Sequence, residues 1–231
     1  CPIKHFICVS NENDVLTEVI QTGTYHLNRK FMTTTSPSMD ILVSSNFERL
    51  LYELTQDTNR VSELMTSLKE KGSYSLNKEE FDKLSSLFSS QSVNQKEVNH
   101  TIEMTYLNTK ELLDPHTAIA MHAGYQYNQK HKEDVVVIAA TASPYKFPKT
   151  VLKALKQEVP NNDFDAMNAL NAYTGVQIPE FLNALKEAEE TLFNRRFSFF
   201  DEDGQLVKSR WISQVKYLDN EGALEIVFTP A

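Results

Sequence analysis

The stretch from Ser36 to Leu54, SPSMDILVSSNFERLLYEL, joins a polar turn to an amphipathic helix, and its reading sets the fold class. Serine, proline and aspartate at residues 36–40 are turn formers, and Ser45 followed three residues later by Glu48 has the spacing of a capping box. Phe47, Leu50, Leu51 and Leu54 then recur at the spacing of one helical face, so a helix is predicted there. Upstream, Ile3 to Val9 is a short apolar, partly β-branched run ending in turn formers, and a helix is expected from Asp14 to about Gln21. Strand, turn and helix in that order are α/β grammar.

Downstream, Asn77 with Glu80 and Asn94 with Glu97 have capping-box spacing, and Leu76 is placed to staple against Phe81. The helix after Asn77 is expected to run through Leu84, Leu87 and Phe88. With the segment Val61 to Leu68, these make a helical stretch whose Ser, Asn, Lys and Glu content predicts a peripheral subdomain. Asp114 before Pro115 supplies an N-cap and a first-turn proline, predicting a helix over Pro115 to about Gln129. Val135 to Ala139 is the best candidate for a buried strand, followed by a turn and a helix opening near Pro148. Such a unit belongs to a mainly parallel sheet, whose ligands sit beyond the strand C-termini, so Thr141 is expected at a ligand-facing edge. A further helix is expected over Asp163 to Tyr173, stopped at Gly175.

The 36–54 segment resembles threonine synthase, as do LDPHTA at residues 113–118, ATASPYKFP at 140–148 and TGVQIP at 174–179. Their order is that of the family's C-terminal half, and the likeness covers residues 1–183. It implies the C-terminal part of a pyridoxal-phosphate-dependent type II fold, similar to the tryptophan synthase β chain, with a helical insertion. It also implies a lyase of threonine biosynthesis that converts O-phospho-L-homoserine and water to L-threonine and phosphate. In the family, the Schiff-base lysine and a glycine- and asparagine-rich phosphate loop precede the segment that begins here, and Cys1 is not an initiator methionine. The chain is therefore expected to be a fragment, inactive alone, with no catalytic residue of its own. From Ala184 the likeness changes: residues 184–228 resemble part of a winged-helix plasmid replication initiator. Two domains are thus expected, 1–183 and a small α+β tail at 184–231. In the tail, Leu185, Ala188 and Leu192 share a helical face, Leu224, Ile226 and Phe228 alternate along a strand, and residues 219–222 supply a hairpin turn.

Composition bounds these readings. With 231 residues, of which 41% are apolar, the chain can bury a core. A formal charge of −8 gives no broad attraction to phosphate backbones and argues against nucleic acid as a partner. Cys1 and Cys8 are too few for a disulfide framework and lack the paired spacing of a zinc site, which fits a reducing, cytoplasmic location. The longest wholly apolar run, Val135 to Ala140, is far short of the roughly 20 residues of a membrane helix, so no membrane is expected. The six glycines are scattered, so no glycine-rich loop is present to cradle a phosphate.

The resemblance implies that the Thr141 hydroxyl meets the pyridine nitrogen of pyridoxal 5'-phosphate, where a neutral partner moderates the electron-withdrawing ring. Without the resemblance, a threonine in this place is a turn or cap residue. Ser143 stands where many relatives carry histidine. Asp114, His116 and Thr117 form a polar trio in which the imidazole is a candidate proton shuttle; the alternative, preferred here, is a helix cap with His116 facing water and Thr117 bonding the backbone. Ser36, Ser38, Asp40, Ser44, Ser45, Asn46 and Arg49 are candidates for binding a small phosphorylated amino acid. Within that set Ser45 and Asp40 read as cap and turn residues, leaving Asn46 and Arg49. Asn11, Asn13 and Asp14 follow the first strand and are candidates to face the cleft, with turn formation and capping the preferred reading. Arg195, Arg196, Lys208, Arg210 and Lys216, interleaved with Phe197, Trp211 and Tyr217, offer a DNA-contacting wing, but residues 184–231 hold six basic against nine acidic residues, a net of −3. A DNA-binding protein acting through the tail and a non-catalytic phospho-amino-acid binder are the alternatives to the enzyme.

Overall fold

Phe6–Ser10 forms β1, the apolar run at the N-terminus, and Val15–Thr22 follows it as α1. The helix ends at Gly23 in a left-handed conformation, φ +72°, with its N–H on the Val19 carbonyl at 2.9 Å. A Cβ at Gly23 would stand 2.9 Å from the Phe81 ring, so both backbone and space call for glycine. Thereafter come β2 (Thr24–His26), a 3-10 turn at Pro37–Met39, α2 (Phe47–Thr55), α3 (Thr58–Lys71) and β3 (Ser73–Ser75). The chain continues through α4 (Lys78–Leu87), β4 (Phe88–Ser92), α5 (Gln95–Thr109), α6 (Pro115–Lys130), a 3-10 turn at Pro144–Lys146, α7 (Pro148–Ala154) and α8 (Asp163–Thr174). The computed structural model describes residues 3–185, 212–218 and 223–228, the last two segments as backbone. Two compact units divide the chain, Cys1–Gln177 and Ile178–Ala231.

In the first unit β1 pairs in parallel with β4, Phe6 opposite Phe88 and Ser10 opposite Ser92, while β2 pairs antiparallel with β3. Val15 and Val19 of α1 share one core with Leu51, Leu64, Leu68 and Leu84. The helical stretch read as peripheral is therefore woven into that core. Its polar residues form the outer face of helices whose leucines are buried, and composition averages over both faces. Both expected capping boxes are present: Asn77 accepts from Glu80 N at 2.9 Å while its own N–H meets the Glu80 carboxylate at 2.8 Å, and Asn94 with Glu97 repeats the arrangement. Leu76 and Phe81 both pack against the core. α4 stops at Leu87 because Phe88 opens β4, where its ring stacks on Phe6 at 5.1 Å.

Two expectations are corrected. The capping box at Ser45 is not formed: α2 has Asn46 as N-cap, in helical backbone conformation and without a side-chain cap bond. The preceding turn is bound elsewhere, since Ser44 N–H donates to the Tyr25 hydroxyl at 2.9 Å and Ser44 Oγ donates to Asn46 Oδ1 at 2.8 Å. Nor is Val135 to Ala139 a buried strand: residues 135–140 have no regular secondary structure, and Val135 and Val137 are 91% and 88% exposed. The alternation is real, because Val136 and Ile138 pack on α6 at Gly124, where a Cβ would meet Ile138 Cδ1 at 2.9 Å. A strand needs a hydrogen-bonded neighbour, and among the described residues none pairs with this segment.

In the second unit, β5 (Ile212–Leu218) pairs antiparallel with β6 (Ala223–Phe228), Val215 opposite Ile226, with a register irregularity between Ile212 and Gln214. This is the expected hairpin. Its turn at 219–222, the basic residues 195–210, Trp211 and the Ala188 and Leu192 positions lie outside the described residues.

Candidate functional site

Where β1 ends, Asn11 and Asn13 are buried, at 2% and 3% exposure. A buried amide needs partners, and these find them on the loop that leads into the 36–54 segment. Asn11 Nδ2 donates to Thr34 Oγ1 at 2.8 Å, to Ser36 Oγ at 2.9 Å and to Asp40 Oδ1 at 2.7 Å. Asn13 Nδ2 reaches Met32 O at 2.8 Å and Asp40 Oδ1 at 3.0 Å, while its Oδ1 accepts from Met32 N at 2.9 Å. Asp40 also accepts from Thr34 N and from the Thr34 hydroxyl. One carboxylate thus gathers three side-chain donors and one backbone donor, and locks residues 32–40 against the end of β1.

A second anchor comes from α6. Asp114 caps that helix, accepting from His116 N at 2.8 Å, as expected. His116, however, does not face water: it is 6% exposed, with Nδ1 on Asp114 Oδ1 at 2.8 Å and Nε2 accepting from Ser38 N at 3.3 Å. The amide donor at Nε2 fixes the tautomer, leaving Nδ1–H to donate to Asp114. Thr117 donates its hydroxyl to the Asp114 carboxylate rather than to backbone. The Phe147 ring packs on His116 at 4.9 Å.

Phe147 belongs to the third segment. There Ser143 Oγ caps the 3-10 turn by accepting from Tyr145 N, and buried Tyr145 donates to Val176 O at 2.5 Å. Burial pushes the Tyr145 phenol pKa up. Asn171 Nδ2 holds the same Val176 carbonyl at 2.6 Å. The end of β1, the 36–40 turn, the start of α6, the 143–147 segment and the residue 176 turn are thereby joined by side-chain contacts. Thr141 is exposed at the near end of this assembly in sequence. Asn46 and Arg49 are exposed at the start of α2, outside the hydrogen-bonded network.

Sequence reasoning read Asn11, Asn13 and Asp40 as turn formers and missed that they bond to one another. It also missed Arg29, which ion-pairs with Asp14 and Glu18. Two asparagines flanking Glu12 straight after a strand were the available signal. Among the described residues no group of three or more His, Cys, Asp or Glu is placed to hold a metal ion, and no helix is long and apolar enough to cross a membrane.

Residues 117–208 match the family described as "Threonine synthase, C-terminal". The chain is similar to the C-terminal part of threonine synthases. Threonine synthase-like 1 from Homo sapiens is 35% identical over 197 residues, covering 84% of this chain and 25% of that protein. Threonine synthase from Pseudomonas aeruginosa is 36% identical over 154 residues, covering 66% of this chain and 32% of that protein. The chain thus spans a quarter to a third of the length of the curated relatives it matches. Threonine synthase from yeast superposes with a TM-score of 0.67 at 30% identity, over 80% of this chain and 38% of that one. Pyridoxal-phosphate-bound threonine synthase from Brucella melitensis gives 0.60 at 30% identity, over 76% and 41%. The α/β fold of this chain is accordingly the C-terminal part of the pyridoxal-phosphate type II fold.

Proposed function

We propose that the complete enzyme containing this chain converts O-phospho-L-homoserine and water to L-threonine and phosphate in the cytosol, with pyridoxal 5'-phosphate as cofactor. The observation that carries this reading is the convergence of the family-like segments at 36–40, 114–117 and 143–147 on one hydrogen-bonded assembly. When bound, the cofactor supplies an electron-withdrawing ring that stabilises carbanions on the substrate. Thr141 fits that group: its hydroxyl is neutral, exposed and carried on a segment fixed at Ser143 and Tyr145, so it holds the ring nitrogen without adding charge. Asn46 and Arg49, exposed in the first turn of α2, take the substrate phosphate, with the positive end of the helix dipole behind them. The lysine that binds the cofactor covalently, and the division of the chain into 1–183 and 184–231, belong to the same proposal.

The test uses the full-length protein, scoring phosphate release against threonine formed from O-phospho-L-homoserine. Equal amounts of both are expected. Thr141→Val is expected to lower kcat about tenfold and to shift the visible absorbance of the bound cofactor, whereas Arg49→Ala raises KM about tenfold. Purified protein that makes no threonine sinks the reading. One observation favours a second: the likeness to threonine synthase-like 1 runs over more of this chain than the likeness to the Pseudomonas synthase. A binder of a phosphorylated amino acid without turnover would give calorimetric binding of O-phospho-L-homoserine and no phosphate release.

A further inference from the structure

We propose that His116, oriented by Asp114, is a positioning residue that sets the 36–39 turn and the Thr141-bearing segment in register with each other; the inference rests on the function proposed above. The Pro37–Met39 turn has little of its own to hold it: Met39 N on Ser36 O at 2.9 Å, Asp40 N on Pro37 O at 3.1 Å and Ile41 N on Met39 O at 2.9 Å. A 3-10 turn of three residues is short, so external anchors decide its geometry. The Asp40 network clamps its far end. His116 clamps its middle, through the Ser38 amide.

The Phe147 ring packs against the same imidazole, centroids 4.9 Å apart and planes tilted by 56°, so the segment that begins at Thr141 touches the side chain that holds the turn. Rotation of the imidazole would move both. Asp114 prevents it: one carboxylate oxygen takes both the backbone N–H and Nδ1–H of His116, the other takes the Thr117 hydroxyl, and the whole group is buried. The ring thus has one nitrogen committed to each side, and neither is left to exchange protons with a substrate. His116 acts through the residues it holds.

Two isosteric replacements separate its two bonds. In the full-length protein, His116→Gln keeps an acceptor near the place of Nε2, and His116→Asn keeps a donor near the place of Nδ1 but withdraws from Ser38. His116→Asn is expected to raise KM for O-phospho-L-homoserine about tenfold with kcat within about threefold, and His116→Gln to restore KM to within about threefold of the parent. Hydrogen exchange of the cofactor-free protein supplies a readout independent of turnover: residues 36–40 and 141–147 should exchange faster in His116→Asn and at the parent rate in His116→Gln. Unchanged exchange in His116→Asn, equal damage from both variants, or a loss confined to kcat overturns the proposal. If His116→Asn does not fold, Asp114→Asn, which retains a capping side chain, takes its place with the same expectation. Aggregation of both also overturns it, because the role would then be folding itself. A parent protein that makes no threonine would remove the functional reading while the exchange result still decides the positioning role.

Discussion

Glu80 shows how a single side chain serves two structures at once. Its carboxylate closes the capping box of α4 and receives Arg60 from α3 at 2.8 Å, while its side chain is only 8% exposed. The Arg60 guanidinium, aided by the Asn77 amide, holds the Glu80 carboxyl below the ordinary glutamate range. A carboxylate depressed in the folded state contributes stability above its unfolded pKa and loses it as pH falls through the folded value. Chemical denaturation of this chain is therefore expected to show falling stability as the solution is acidified through and below the ordinary glutamate range, and Glu80→Gln should flatten that limb. At neutral pH the same substitution should cost about 1–2 kcal/mol, because the largely covered Arg60 keeps only its second carboxylate partner, Glu63 at 3.0 Å. A Glu80→Gln protein with the parent's acid profile would contradict this account. Sequence alone made the Asn77–Glu80 box legible, since a cap is a contact between residues three apart. It did not disclose Arg60, twenty residues away, nor the meeting of Asn11 with Asp40, because neither spacing nor polarity encodes which distant loop will supply a partner.

At the level of elements, what the sequence announces correctly is local, and what it misreads depends on neighbours. Periodicity and caps gave α1, α4, α6 and α8 nearly to the residue and the start of α5, and the alternation of Leu224, Ile226 and Phe228 gave the hairpin. The segment 135–139 has the composition of a strand and packs one side on α6, yet its hydrogen-bonding edge has no partner among the described residues. Composition reports which face is apolar; pairing is a property of two segments. α6 meets this segment at Gly124, where the absence of a Cβ leaves room for the Ile138 side chain. Gly124→Ala should gain helix propensity and displace the terminal methyl of Ile138, the two nearly offsetting, for a net change within about 1 kcal/mol by thermal or urea unfolding. A Gly124→Ala protein stabilised by more than that would show that the segment yields freely. Asn94→Ala, which removes the α5 capping box, should cost about 1 kcal/mol in the same measurement.

At the scale of the whole first unit, helices cover the core while the 135–137 strip is among the apolar stretches left bare. Val135 and Val137 stand almost fully in solvent, six and four residues ahead of the threonine assigned to the cofactor. In this chain alone, replacing both by threonine should leave stability within about 0.5 kcal/mol of the parent and reduce self-association in sedimentation. In the full-length protein the same pair should be costly if that strip is covered there, and equal tolerance in both contexts would mean that it is not. The knot around Asp40 carries its own consequence. The stretch from Arg29 to Leu42 contains only a single short turn of regular structure, yet it is cross-tied to β1, to α6 and, through the Tyr25 hydroxyl, to β2. Looseness of outline is no guide to ease of opening here. Among the described residues, trypsin should pass over Arg29 and Lys30 and cut sooner at Lys130 and Lys132, which are exposed where the chain leaves α6 and whose segment is tied through Asp134 to Tyr127 and Lys4 on the surface.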